Sequence, residues 1–241
     1  RGRLTVLLLG GDAGFGRWGL RTDSMIVATI DLRTRWAALL SVPRNLQRVP
    51  LRSPISDDLG PEFGDILNEL YEQGRDHPEW FPHARDPGAA ALKQTIADLV
   101  GLPIDYEVTV DLEGFYEVLR AFGGVTLDVP EPVLDRLSPP RPDMEWIRID
   151  LQPGVQHLTP EQAFAYVRAR TETSDWSRIP RQRCVLVALA HDATPRRLLR
   201  ILPGLLAAFR DNVTTDVPRS ALPALVDLAA EFARNEIAPR V

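Results

Sequence analysis

Leu4–Gly10 is a short continuous apolar run ended by Gly10-Gly11, the pattern of a buried central strand. Ser24–Asp31 and Arg35–Val42 are two further β-type runs around a short turn at Leu32–Thr34, a hairpin candidate, and Pro43 ends the second. Residues 50–88 are rich in Pro, Gly and Asp and offer one plausible short helix near Asp65–Gln73. They read as a long irregular excursion, a lid or a mobile connection. Helical spacing then resumes over Gly88–Val100 and stops at Gly101. Tyr106–Asp111 reads as a strand, Leu112–Phe122 as a helix closed by Gly123-Gly124, and Val125–Val129 as a strand. The prolines of Glu131–Asp143 predict a loop, Ile147–Leu151 a short strand before a Pro153-Gly154 turn. Thr159, Pro160 and Gln162 supply an N-cap, an N1 proline and the third residue of a capping box. Helices follow at about Ile179–His191, Arg196–Arg210 and Ser220–Asn235. Alternating strands and helices predict one α/β domain over residues 1–241, a central mixed sheet with helices on both faces in three layers.

Composition narrows the function classes. With 44% hydrophobic and 25% charged residues in 241, the chain is neither disordered nor collagen-like. No apolar run reaches the roughly 18 residues of a membrane span. The one cysteine, Cys184, excludes an intrachain disulfide framework and a cysteine-rich zinc site, and reads as a small buried helix residue. His77, His83, His157 and His191 fall at unrelated spacings, which argues against zinc. P-loop, G-x-S-x-G and G-x-G-x-x-G signatures are missing from the sequence. The net charge of -5 argues against a nucleic-acid binder, and so against a transcriptional regulator. Of the 28 basic residues, all but Lys93 are arginine, and residues 163–200 hold eight of them against Glu172, Asp175 and Asp192. A positive field concentrated in an acidic protein suggests an anionic ligand. The chain starts at Arg1-Gly2-Arg3 without initiator Met or signal pattern, and is read as an excised soluble piece from which an upstream membrane anchor is missing.

Two groups could carry chemistry. Asp12 lies just past the first strand and Asp23 just before the second. If those strands are antiparallel neighbours, both carboxylates reach one edge near Arg17 and Arg21 and suit a Mg²⁺-bridged pyrophosphate. On spacing alone, turn aspartates that cap backbone N–H groups are the reading that comes first. Arg44, after Val42-Pro43, sits at a stiff strand end and by itself reads as a surface arginine. The second group is Tyr166-Val-Arg168-Ala-Arg170-x4-Asp175-x2-Arg178-x2-Arg181-Gln182, with Arg168 and Arg170 at the end of one helix and Arg178 and Arg181 on one face at the start of the next. A phosphate clamp and a solvated charged helix pair both fit it. The apolar C-terminal helices read as core, with a lipid groove as the other possibility.

Eight segments in order resemble the LytR-CpsA-Psr family of envelope phosphotransferases. They include Leu7-Leu8-Leu9-Gly10-Gly11-Asp12, Arg21-Thr22-Asp23-Ser24-Met25, Leu40-Ser41-Val42-Pro43-Arg44, Val110-Asp111-Leu112-Glu113-Gly114-Phe115, Gly123-Gly124-Val125 and the arginine run. The resemblance implies an α/β core with a long apolar cavity for a polyprenyl chain, and Mg²⁺-dependent transfer of a glycopolymer from a polyprenyl-pyrophosphate carrier to peptidoglycan at the extracytoplasmic membrane face, with a possible pyrophosphatase side activity. It implies that Asp12 and Asp23 hold the metal. Arg17, Arg21, Arg44, Arg168, Arg170, Arg178 and Arg181 would bind the phosphates, with Asp23, Arg21 and Arg44 as the catalytic set and Asp23 as an alternative base. Three positions depart from the family pattern: Asn45 stands where Pro-Arg-Asp is usual, Ile66 where a lysine precedes Asn-x-x-Tyr, and no arginine follows Gly11-Asp12 directly. Asn45 and Ile66 keep a second reading open, a non-catalytic polyprenyl-pyrophosphate-binding protein.

Overall fold

The computed structural model describes residues 2–12, 22–34, 36–170, 178–225 and 227–228. In chain order the elements are β1 (Arg3–Gly11), β2 (Thr22–Asp31), β3 (Ala37–Val42), β4 (Val49–Pro50), α1 (Ile55–Leu59), β5 (Glu62–Phe63), α2 (Glu69–Asp76), α3 (Pro87–Val100), β6 (Tyr106–Val110) and α4 (Leu112–Phe122). There follow β7 (Val125–Val129), β8 (Val133–Leu137), β9 (Ile147–Leu151), β10 (Gly154–Leu158), α5 (Pro160–Tyr166), α6 (Arg178–Asp192), α7 (Pro195–Asn212) and β11 (Val213–Thr215). The main sheet has the order β11-β6-β1-β2-β3, with β1 antiparallel to β2 and parallel to β6. The first apolar run is therefore the central strand, and both faces of it are covered.

Alternation along the strands sorts the two faces. Leu7, Leu9, Met25, Val27 and Val42 bury one face against Leu67, Leu70, Leu92 and Ile96 from the α1–α3 side. Leu8, Ile26 and Val110 turn to the other, where α4 and α6 stand across a cavity, and α7 packs along α4. A second core joins α4, α5 and the small sheets β7–β10 and β8–β9 through Leu119, Val125, Ile149, Leu158, Phe164 and Tyr166. This is the expected three-layer α/β arrangement.

Local chemistry sets the helix ends. Asp86 accepts the Ala89 N–H at 3.0 Å ahead of Pro87, and Asp111 accepts the Gly114 N–H at 2.7 Å. Thr159 and Gln162 close the predicted capping box. Gly124 has φ +93°, and an added Cβ there would lie 2.1 Å from the Leu158 carbonyl oxygen, so only glycine fits where β7 meets β10.

Four expectations change. The 50–88 segment is not a loose excursion: it carries α1, α2 at Glu69–Asp76, and a short hairpin, and buries Ile55, Phe63, Leu67, Leu70, Tyr71 and Trp80 in the first core. The proline-rich 131–143 stretch contains β8, because its prolines flank the strand and none lies within it. Arg168 and Arg170 lie beyond the last helical residue of α5, Tyr166. Cys184 is on α6 as expected but faces solvent. Of the predicted helix over Ser220–Asn235, residues 222–225 and 227–228 are helical after a 3-10 turn at Arg219–Ala221, and the part beyond 228 lies outside the described residues.

Candidate active site

The strand register brings the distant carboxylates and guanidinium groups to one end of the sheet. Gly10 faces Ser24 and Gly11 faces Thr22 across a bulge, so Asp12 and Asp23 emerge at the same edge. Met25 faces Val42 in the neighbouring ladder. Two residues further along each strand, Asp23 and Arg44 meet, and they form an ion pair. The Asn68 backbone N–H donates to the Arg44 carbonyl at 3.1 Å and the Leu67 N–H to the Leu46 carbonyl at 2.8 Å, so the segment before α2 holds the Arg44 turn. Parallel β6 ends beside β1, at Val110-Asp111, the edge where open α/β sheets place their ligands.

A cavity of about 560 Å³ opens at this edge. Asp12, Asp23, Arg168, Arg170 and Arg178 all line it, while Leu8, Ile26, Phe115, Val118, Leu186 and Leu189 make its apolar walls. Polarity runs in one direction along three elements. On β1 and β2 it falls from Asp12 and Asp23 to the facing pair Leu8 and Ile26, four residues along β1 and three along β2, roughly 10–13 Å. On α6 the lining residues Arg178, Gln182, Leu186 and Leu189 follow helical spacing over about 16 Å, polar first and apolar last. On α4, Leu112, Phe115 and Val118 face inward behind Asp111.

The polar end is densely wired. Arg178 is 7% exposed and places Nη1 3.6 Å from Asp23 Oδ2, opposite the Arg44 contact. Ser24 Oγ donates to Gln182 Oε1 at 3.0 Å and joins β2 to α6. Arg168 donates to the Ser138 carbonyl at 2.7 Å and to Ser138 Oγ at 3.0 Å, with its guanidinium 4.7 Å from the Phe164 ring centre. Asp135 accepts the Arg170 backbone N–H at 2.9 Å, which ties β8 to the end of the α5 turn. Burial pushes the Asp111 carboxyl above the ordinary aspartate value, against the N–H bonds of Gly114 and Glu113 that lower it. Arg44, Asn45, Asp23 and Arg178 also surround a small recess beside the main cavity.

Arg181 is placed differently from the other arginines. It is 8% exposed, donates to the Ala169 carbonyl at 3.0 Å and lies 5.7 Å from the Tyr166 ring, beneath the Arg168–Arg170 turn and outside the cavity lining. Its geometry is that of a support for that turn. Arg17 and Arg21 lie outside the described residues. Asp111, Asp135 and Ser138 line the cavity but carried no sequence signal as site residues. Asp111 could have been found as a helix cap at the end of a parallel strand; Asp135 and Ser138 were hidden in a stretch read as loop.

Residues 1–239 match the LytR_cpsA_psr family. The chain belongs to this family. It is 28% identical over 219 residues to "Polyisoprenyl-teichoic acid--peptidoglycan teichoic acid transferase TagV" of Bacillus subtilis (strain 168), covering 90% of this chain and 50% of that protein. It is 26% identical over 223 residues to the TagU protein of the same description from Bacillus mycoides (strain KBAB4), covering 91% of the chain and 62% of the relative. The chain thus spans about half the length of the first of these curated relatives. The crystal structure of B. subtilis TagV superposes with a TM-score of 0.70 at 27% identity, over 98% of this chain and 83% of that one. Of the positions that depart from the LytR-CpsA-Psr pattern, Asn45 borders the recess shared by Asp23 and Arg44, and Ile66 immediately precedes the Leu67-Asn68 pair that holds the Arg44 turn.

Proposed function

We propose that this chain is the transferase domain that moves a glycopolymer from a polyprenyl-pyrophosphate carrier to peptidoglycan, working at the extracytoplasmic membrane face beside its lipid-borne substrate. The observation that carries the reading is one cavity with an arginine–aspartate end and an apolar end. The names of the TagV and TagU relatives, which act on polyisoprenyl-linked teichoic acid and peptidoglycan, agree with it. The described residues contain no helix long and apolar enough to cross a membrane.

In this reading the prenyl chain lies against Leu8, Ile26, Phe115 and Leu189, and the diphosphate lies at Asp12, Asp23 and the arginines. An acceptor hydroxyl of peptidoglycan attacks the phosphorus that bears the glycopolymer. A new P–O bond forms to the acceptor, the bond from that phosphorus to the bridging oxygen breaks, and polyprenyl phosphate leaves. Phosphoryl transfer needs mainly positioning and charge neutralisation. Arg168, Arg170 and Arg178 supply fixed positive charge, with Arg168 held by Ser138 and Phe164 before any ligand arrives. As an alternative to holding a metal, Asp23 is the base that takes the acceptor proton, and its contacts with Arg44 and Arg178 keep it oriented toward the cavity. Water in place of the acceptor gives pyrophosphatase side activity.

The donor set at this end is hard oxygen, two carboxylates beside an expected diphosphate, and that set fits Mg²⁺. Asp12 and Asp23 would hold the ion. When bound it neutralises charge developing on the phosphate oxygens.

The test is phosphate release from a prenyl pyrophosphate with and without Mg²⁺. Wild-type protein releases phosphate, and Asp23→Ala and Arg168→Ala lower release by two orders of magnitude or more. Unchanged release in both variants rejects the assignment. Binding without turnover under any metal selects the non-catalytic alternative, for which Asn45 in the Asp23–Arg44 recess is the specific motive.

A further inference from the structure

The 50–88 segment carries a second group of ligand-type side chains, far in function from the diphosphate end. Among the described residues, Asp58 on α1, His77 at the end of α2 and Glu79 in the following turn bring one ligand atom each to within 4.8 Å of one another. Their chemistry is mixed, one imidazole and two carboxylates, which distinguishes the group from an ordinary acidic patch. It is also organised by its surroundings. Trp80 is a buried core residue, 6% exposed. Its indole N–H donates to Asp58 Oδ2, and its ring stacks on His77 with centroids 4.6 Å apart at 12°. One rigid side chain therefore fixes two of the three donors from behind. The third, Glu79, sits with Oε1 2.9 Å from His77 Nδ1.

We propose that Asp58, His77 and Glu79 form a site for one divalent transition-metal ion of the Zn²⁺ class, completed by water. Imidazole selects for this class over Mg²⁺ and Ca²⁺, which prefer all-oxygen sets. Supporting partners that orient the ligands are the usual mark of a built metal site, and Trp80 plays that part here. Binding at His77 Nδ1 would replace the His77–Glu79 hydrogen bond with one metal bond to each side chain, the imidazole N–H then lying at Nε2. The ion would clamp α1 to the end of α2. Residues just before the other end of α2 hold the Arg44 turn, so the clamp would steady the segment beside the active site.

The experiment is calorimetric titration of the untagged chain with Zn²⁺ at pH 7.5, for wild type, His77→Ala, Glu79→Gln and Asp23→Asn. The proposal expects saturable binding in wild type, one fewer site per chain in H77A, weakened binding at that site in E79Q, and the site retained in D23N. Thermal unfolding provides a second readout: Zn²⁺ at a hundredfold excess over Kd raises the Tm of wild type by roughly 5–10 °C, and of H77A by less. Equal stoichiometry in wild type and H77A overturns the proposal, as does failure of wild type to bind Zn²⁺. Loss in D23N with retention in H77A likewise overturns it and assigns the ion to the diphosphate end. These results stand whether or not the transferase reading holds.

Discussion

Replacing Glu107 with Gln isolates the one strongly perturbed carboxyl of the main sheet. Glu107 lies on β6, 4% exposed, facing α3 rather than the cavity. The chain's single lysine, Lys93, approaches it at 2.8 Å, also bonds the Asp105 carbonyl at 3.1 Å, and pairs with Asp216 just beyond β11. Asp216 in turn accepts the Glu107 backbone N–H at 2.8 Å. Burial first, and then the hydrogen bond with Asp216, push the Glu107 carboxyl from 4.5 to about 7, while Lys93 pulls the other way. A raised carboxyl binds its proton more tightly in the folded chain. The stabilisation is complete below the ordinary glutamate value and is lost as pH rises through about 7. Taking about 1.4 kcal/mol per pH unit over that interval gives an upper limit of roughly 3–4 kcal/mol. Hydrogen bonds with Glu107 and Lys93 outweigh burial and lower the Asp216 carboxyl, so its own titration falls at lower pH, outside this window. Urea unfolding at pH 5, 6, 7 and 8 on wild type and E107Q reads the difference directly. Wild type should lose about 2–3 kcal/mol relative to E107Q between pH 5 and 8. Parallel profiles would show that Glu107 does not titrate between folded and unfolded states in this window, because the Gln side chain keeps the shape and lacks only the titration.

Arg178→Met removes the buried cation next to Asp23 while Arg44 stays in place; prenyl-pyrophosphate turnover should fall at least a hundredfold with stability changed by only about 1–3 kcal/mol, measured by kinetics and urea unfolding side by side. An unaltered rate would remove Arg178 from the phosphate end. Gly124→Ala forces a Cβ to 2.1 Å from the Leu158 oxygen at a positive φ and should destabilise by about 3 kcal/mol or more; a Tm within a degree or two of wild type would contradict the β7–β10 packing.

Much of this site was legible in the chain because simple registers govern it. The apolar run at Leu4–Gly10 and the hairpin after Ser24 make an antiparallel pair, and such a pair must bring Asp12 and Asp23 to one edge. The helix phase of Arg178, Gln182, Leu186 and Leu189 is likewise a property of spacing. Arg44 read as a surface residue because its partner Asp23 comes from the neighbouring strand's register, 21 positions away. Arg181 shares a helix face with Arg178 in sequence, yet tertiary packing turns it under Tyr166. β8 was hidden because Pro132, Pro139 and Pro140 mark its limits but resemble loop composition. β10 has the same five-residue length as β7 and β9 but lacks their apolar alternation, burying only Leu158 at its end, and β11 is three residues long; both exist through pairing with β7 and β6. The core role of Trp80 and Phe63 depends on contacts with the sheet face that local pattern does not encode.

In the proposed function, one cavity grips a diphosphate at its charged end and a prenyl chain at its apolar end. Binding of prenyl pyrophosphates with one to five isoprene units tests it most directly. Affinity should rise at least tenfold with each early unit, within the limit of about 0.8 kcal/mol per buried carbon. It then levels off once the cavity of about 560 Å³ is filled, and Leu189→Trp shortens the rise without changing the affinity for inorganic pyrophosphate. Affinity independent of chain length, or a length dependence untouched by L189W, would contradict it.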